Sequence, residues 1–259
     1  MTTPLDPAGL RSHLLESRLA GEVATSAGNS LGNVAKLVDG NPTYTFGLSD
    51  WKDASFDEVV DAVGAAGGRL RDRSPDGPSG IDADAALAAI RRQRQTLGPV
   101  LGRRGARVLV ATGHPFALLA HYGAVARALT AAGAHVLRPL EGDHGRLRAT
   151  DGRPCGLRYL DGVACLFQDA ALHHTHHPDY MEAMLGEVGP TTVDLVVADH
   201  GFAGAAVEAG IPTLAIADVN DPALPLAQAR GRPAVVLLID DGLDAALFAP
   251  VTEAVLGAG

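Results

Sequence analysis

The chain has 259 residues, 47% hydrophobic and 20% charged, which is enough to bury a core and too apolar for a disordered chain. Thirty acidic against 21 basic side chains give a formal net charge of −9, which excludes the basic face of a nucleic-acid-binding protein. Aromatic residues make up 4% of the chain, too few for base- or sugar-stacking platforms.

Residues 4–37 read as helical, with Asp6-Pro7 as a start signal and Leu10, Leu14, Leu15, Leu19 and Val23 at helical spacing. Glu22, Thr25, Ser26, Asn29 and Asn33 form a polar stripe on that face. Such a stripe is either a solvated surface or, with Tyr44 and Trp51 in the loop after it, a substrate contact. Residues 38–56 read as loop. Ser55 is placed to cap a helix over 56–66, with Asp57 and Glu58 in its first turn. Residues 67–82 read as a Gly/Pro/charge-rich linker, and 83–99 as a further helix. The first hundred residues are thus expected to be helices and loops without strands.

From there the pattern changes. Strands are predicted at 106–112, 134–140, 193–199, 212–218 and 233–240, with a hairpin over 157–167. Helices are predicted at 114–133, 179–188 and 201–210. This alternation predicts an α/β fold: a Rossmann-like, mostly parallel sheet over 101–259, preceded by a helical N-terminal region over 1–100. Two cysteines, Cys155 and Cys165, form neither a CxxC motif nor a disulfide framework and read as buried thiols. No apolar run approaches the roughly 18 residues of a membrane span. No basic segment followed by an apolar one opens the chain, so a cytoplasmic protein is expected.

Ligands of open parallel sheets bind beyond the carboxyl ends of the strands. Here those ends run into polar clusters: Thr112-Gly113-His114-Pro115, Gln168-Asp169 followed by His173-His174-Thr175-His176-His177, Asp199-His200-Gly201, Asp218-Val219-Asn220-Asp221 and Asp240-Asp241-Gly242. Four histidines in five positions suit a transition-metal site. If the run is extended, His174 and His176 point to one side, and Asp199 or His200 could complete the set. A solvated polar loop would use the same residues. Thr112 and Gly113 stand where a phosphate cradle would, but the segment is neither GxGxxG nor a P-loop. Asn220 and Asp221 could bind an ion or substrate hydroxyls, or simply form an Asx turn. Asp240-Asp241-Gly242 reads as a turn.

The segments VLVATGHPFALLAHYGAVARAL, LHHTHHPDYMEAML and VDLVVADHGFAGAAVEAGIPTLAIADVNDPAL, with LRSHLLESRLAGEVATSAGNSLGNV near the start, resemble an actinobacterial family named for phosphatase activity. The resemblance covers most of the chain and implies a phosphate-ester substrate. The arrangement is also similar, at the level of fold, to DUF89-type metal-dependent phosphatases, although Gly113-His114 stands where those carry an Asp-Asn signature. The chain lacks the DxDx(T/V), Cx5R and RHG motifs of other phosphatase classes.

Together these features predict metal-assisted hydrolysis of a small phosphate monoester. The ligands of a divalent Mg, Mn or Zn ion are expected to be His174, His176, Asp199 and Asp218. His200 and His114 are expected to move protons. Thr112, Gly113, Asn220 and Asp221 are expected to hold the substrate. The alternatives are a nucleotide- or sugar-phosphate-binding protein without hydrolysis, and a metal-dependent lyase or isomerase. A small phosphorylated partner is expected, and neither nucleic acid nor membrane.

Overall fold

Strand formation begins earlier than the apolar periodicity predicts. The computed structural model describes residues 6–70, 74–143 and 145–257. Helix α1 (Pro7–Glu16) starts where the Asp6 carboxylate accepts from Gly9 N at 2.7 Å. The chain then turns through Arg18 and Gly21, both at positive φ, into β1 (Gly21–Ser26), and α2 (Ala27–Val38) follows with Ser26 as its cap. The helix expected over 4–37 is therefore broken by a strand, and residues 4 and 5 lie outside the described residues. Leu19 and Val23, both fully buried, sit four apart and imitate a helical stripe. Val23 is the one fully buried residue of β1, so the period-two signal of a strand is missing.

The segment read as a linker also holds strands, β2 (Gly68–Arg69) and β3 (Pro78–Ile81); its residues 71–73 lie outside the described residues. β3 pairs antiparallel with both β1 and β2. Gly, Pro and Ser give these short strands little propensity of their own, and burial of Ser79 and Ile81 holds them in place. The 38–56 loop contains the short helix α3 (Pro42–Thr45) and a 3-10 turn at Asp50–Asp53. As expected, Ser55 caps α4 (Phe56–Ala65), its hydroxyl accepting from Glu58 N at 3.2 Å. α5 (Ala83–Leu101) starts at Asp82.

The remaining elements are β4 (Arg107–Thr112), α6 (Pro115–Ala131), β5 (His135–Val136), β6 (Leu147–Arg148), β7 (Pro154–Leu160), β8 (Val163–Gln168), β9 (Ala171–Leu172), α7 (Asp179–Val188), β10 (Leu195–Asp199), α8 (His200–Glu208), β11 (Thr213–Ala217), α9 (Ala223–Ala229), β12 (Ala234–Leu238) and α10 (Ala249–Leu256). They build a nine-stranded sheet of order β12-β11-β10-β4-β8-β7-β6, with β5 beside β4 and β9 beside β8. The pairs from β12 across to β8 are parallel, as is β4 with β5. β6, β7, β8 and β9 pair antiparallel, so the sheet as a whole is mixed. The predicted hairpin is β7–β8, and the strand expected over 134–140 shrinks to His135–Val136.

One continuous hydrophobic core joins Leu14, Val34, Val63 and Leu97 of the N-terminal part to Val110, Leu118, Val197 and Val236 around the large sheet. The fully buried strands β10 and β11 read as unbroken apolar runs because helices or loops cover both faces. Parallel register brings Asp199 opposite Ile216, Ala217 opposite Leu238 and Val110 opposite Val197. Thr112, Asp199, Asp218 and Asp240 consequently emerge along one sheet edge.

Candidate functional site

The polar clusters expected at that edge meet around a cleft of about 400 Å³. Its lining includes His114, His174, His176, His200, Asp218, Asn220, Asp221, Asp240 and Asp241, with Thr25, Asn29, Asn33 and Tyr44 from the N-terminal part. No Lys or Arg is among the described lining residues.

The histidine run lies alongside the end of β4, with Thr175 N donating to Gly113 O at 2.9 Å. Thr175 is buried, and His174 and His176 face the cleft with their Nε2 atoms 3.1 Å apart. The one-sided pair expected of an extended run is therefore present, and a purely solvated loop is not what forms. A Cβ on Gly113 would lie 2.3 Å from Thr175 O, so this close approach requires glycine. His173 instead bonds through Nε2 with Gln168 O at 3.0 Å, and it lines a second cavity of about 300 Å³ beyond the His174–His176 wall. His176 Nδ1 lies 3.2 Å from Thr43 O. A carbonyl can only accept, so Nδ1 carries the proton and Nε2 accepts from His174 Nε2.

His200 opens α8 at φ 44°, a left-handed conformation costly for a side chain of this size. A Cβ on Gly201 would lie 2.3 Å from His176 O, so the next residue must be small. His200 is 3% exposed, with Nε2 3.3 Å from Asp221 Oδ2 and 3.5 Å from Asp241 Oδ2, and Nδ1 3.6 Å from Asp199 Oδ2. Burial alone would lower its pKa, but Asp221, Asp199 and Asp241 outweigh it and push the imidazole up to about 10. Burial likewise opposes the charged forms of Asp221 and His114. His200 nevertheless draws Asp221 below the usual carboxylate range, and Asp241 raises His114 above the usual imidazole range. His174 is pushed down to about 3 by desolvation and then by the imidazoles of His200, His176 and His114. His176 is lowered by burial and His200. Burial, with Asp241, Asp221 and Asp240 close by, raises Asp218 well above the carboxylate range.

Asp241 was read as part of a turn, yet its carboxylate spans the cleft floor. Its Oδ1 lies 3.5 Å from His114 Nδ1 while Oδ2 faces His200. The neighbouring Asp240 makes the turn, accepting from Gly242 N at 3.0 Å and Ala24 N at 3.2 Å. What marks Asp241 in the sequence is its place just past an apolar strand ending at the same edge as Asp199 and Asp218.

Five expected site residues make hydrogen bonds within the protein. Asp199 is fully buried and accepts from Gly113 N at 2.6 Å and from the Thr112 hydroxyl at 3.0 Å. Burial raises its pKa against His200 and these donors. Thr112 and Gly113 thus point their donors at Asp199 and do not form a phosphate cradle. Asp218 lines the cleft, but its Oδ2 accepts from the Thr25 hydroxyl at 2.9 Å and its Oδ1 from Val219 N at 2.7 Å. Asn220 lines the cleft while its backbone carbonyl accepts from Asn33 Nδ2 at 3.0 Å.

Among the described residues, two groups of side chains could each hold a cation: His200, Asp221 and Asp241, and His114, His174 and His200, with one donor atom from each residue and all within 4.8 Å of one another. His114 Nδ1, His200 Nδ1 and Asp241 Oδ2 are buried without a hydrogen-bond partner. Both cysteines are free and buried, as expected, and no described helix is long and apolar enough to cross a membrane.

Fold and cleft define a mixed α/β protein with a buried His/Asp site at the carboxyl edge of its parallel strands. The chain belongs to the family described as Phosphatase, whose model matches residues 5–258. It is 36% identical over 240 residues to Phosphatase SCO2771 of Streptomyces coelicolor, covering 90% of this chain and 88% of that protein. No solved structure matches it significantly.

Proposed function

We propose that the protein is a metal-assisted phosphatase that hydrolyses a small phosphate monoester. The observation that carries this reading is the convergence of His200 Nε2 with Asp221 Oδ2 at 3.3 Å and Asp241 Oδ2 at 3.5 Å, in a group whose donor atoms all lie within 4.8 Å of one another. Donors bound to one tetrahedral ion at about 2.0–2.1 Å lie roughly 3.3–3.4 Å apart. Asp241 Oδ2 is buried and has no hydrogen-bond partner, which a cation would supply. These three residues are therefore the first ligand set, a revision of the set expected from sequence. Asp199 becomes a positioning residue that holds the end of β4 and the start of α8 together, through its bonds to Gly113 N and Thr112 Oγ1. A bound divalent ion polarises a phosphoryl oxygen and lowers the pKa of water.

The family and its Streptomyces relative support a phosphate ester as substrate, hence hydrolase chemistry. Water attacks phosphorus and gives up one proton to cleft water, the ester P–O bond breaks, and the departing alkoxide takes that proton back from cleft water, giving an alcohol and inorganic phosphate. Asp221, Asp240 and Asp241 face the cleft and no Lys or Arg is among its described lining residues, so a bound cation would ease the approach of a phosphate dianion. The cleft volume suits a small metabolite, and the side chains of Asn220 and Asn29 face it from opposite parts of the chain to meet substrate hydroxyls. The parallel strands ending at this edge support a Rossmann-like reading of residues 101–259, with residues 1–100 as the part that walls the cleft. His200 and His114 serve as cation donors rather than proton carriers, because each ring faces Asp241.

The test is phosphate release from a panel of phosphorylated metabolites, with and without chelator. Turnover that chelator abolishes and divalent ion restores supports the proposal. Turnover indifferent to chelator removes the metal. Tight binding without turnover favours a phosphate-binding protein instead.

A further inference from the structure

Asn29, Asn33 and Lys36 stand four and three residues apart on α2, so they share one face of that helix. Asn29 and Asn33 line the cleft, and Lys36 stands exposed at its rim. The ammonium is held from two sides. It donates to Asn33 Oδ1 at 3.1 Å and to the Tyr44 hydroxyl at 3.1 Å, and it lies 4.5 Å from the centre of the Tyr44 ring. Tyr44 is itself a lining residue. The buried Asn33 amide is locked, because its Nδ2 donates to Asn220 O at 3.0 Å and so leaves Oδ1 facing the lysine.

Holding a long, flexible stem in one place costs rotamer entropy. Here no ion pair offsets that cost, because among the described residues no carboxylate pairs with Lys36. Two of its three N–H donors are used, which leaves one for a ligand. Among the described residues Lys36 is also the one Lys or Arg bonded to the lining of this cleft.

Position decides which part of a substrate it meets. Tyr44 lies edge-on to His176 with ring centroids 6.4 Å apart, and His176 stacks on His200 with centroids 4.5 Å apart. Two rings therefore separate the ammonium from the proposed ion at His200, Asp221 and Asp241. The phosphoryl group belongs at that ion, and Lys36 meets the other end of the molecule.

We propose that the substrate is a small phosphate monoester with a second anionic group, a carboxylate or a further phosphate, and that Lys36 binds this group. The inference rests on the metal-assisted phosphatase reading above and names the substrate class of the same site.

The experiment compares two pairs of esters on the full chain loaded with Mn²⁺: phosphoglycerate against glycerol phosphate, and fructose bisphosphate against fructose monophosphate. In at least one pair kcat/KM should favour the ester with two anionic groups by about 10-fold or more, the worth of a hydrogen bond to a charged group. The pair that shows it distinguishes a carboxylate from a phosphate. Lys36→Met should abolish the preference through KM, and Lys36→Arg should restore part of it. Circular dichroism checks that both variants fold. No preference in either pair overturns the inference and leaves the phosphatase reading standing. A preference that survives in Lys36→Met places the second group elsewhere and overturns the role of Lys36. Should none of the four esters turn over, isothermal titration with the same four compounds decides. Tighter binding of a two-anion ester that Lys36→Met abolishes is expected, and equal binding within both pairs overturns the inference.

Discussion

Gly113 donates its backbone N–H to Oδ1 of Asp199 at 2.6 Å, so the residue that follows β4 is bonded to the residue that ends β10. Thr112 fills the other Asp199 oxygen at 3.0 Å, and its hydroxyl also accepts from His114 N at 2.9 Å. Asp199 therefore organises the loops carrying His114 and His200 from behind. In Asp199→Asn one acceptor becomes a donor, and a buried group loses its partner at about 1–3 kcal/mol. Melting should fall by several degrees, at about 2–4 °C per kcal/mol for a chain of this size. Metal affinity should drop about 10–100-fold, as for other groups that orient a ligating histidine. Calorimetry and a metal titration on the same variant check both figures, and an unchanged metal affinity would count against the positioning role.

Asp240 and Asp241 are adjacent, yet the structure gives them different work. Asp240→Asn removes one of two hydrogen-bond acceptors in a turn and should cost about 1 kcal/mol of stability with bound metal unchanged. Asp241→Asn removes a charged oxygen from between His114 and His200. It should lower phosphate release by more than the 10–100-fold typical of an outer-shell partner. Equal effects from the two variants would mean that the charge acts at long range and not as a ligand.

At Gly113 a Cβ would sit 2.3 Å from the Thr175 carbonyl, a backbone atom that cannot swing aside. Gly113→Ala should push the histidine run off the β4 end and destabilise the fold by about 1–3 kcal/mol. The same Cβ would lie 3.1 Å from His200 Nδ1, so bound metal should fall as well. A variant with undiminished metal content would show that His200 is not held in place through this contact.

The acid limb of stability should come in part from His121 on α6. This histidine is 2% exposed, lies 2.8 Å through Nδ1 from Thr252 Oγ1, and is pushed down to about 4 by burial. In the unfolded chain it takes a proton near 6.5. Between those values the unfolded state binds more protons, so this contribution is present above pH 6.5 and is lost as pH falls toward 4. Urea midpoints at pH 7 and pH 4.5 should fall further apart in the unsubstituted protein than in His121→Gln, by on the order of 2 kcal/mol. Equal falls in the two proteins would remove His121 from the acid transition.

How far the sequence reaches can be seen at individual positions. The parallel strands were legible because fully buried runs such as Val108–Ala111 and Leu214–Ala217 are bounded by Gly, Pro and Asp. From them the common edge followed, and with it the meeting of His114, His174, His176, His200, Asp218 and Asp221 in one cleft. The three N-terminal strands were not legible. Two of the six residues of β1 are half-exposed serine and threonine near its end, and β2 and β3 draw their pairing from tertiary burial rather than propensity. The division of roles among the aspartates was also hidden. Whether Asp199 faces outward to an ion or inward to Gly113 N depends on the path of a neighbouring strand, and the doublet Asp240-Asp241 reads as a turn until β12 is set beside β11.

Anomalous diffraction from crystals soaked in Mn²⁺ or Zn²⁺ tests the central claim most directly. The account predicts a difference peak in the cleft at roughly 2.0–2.2 Å from His200 Nε2, Asp221 and Asp241. Peaks confined to surface carboxylates, with none in the cleft, would contradict it.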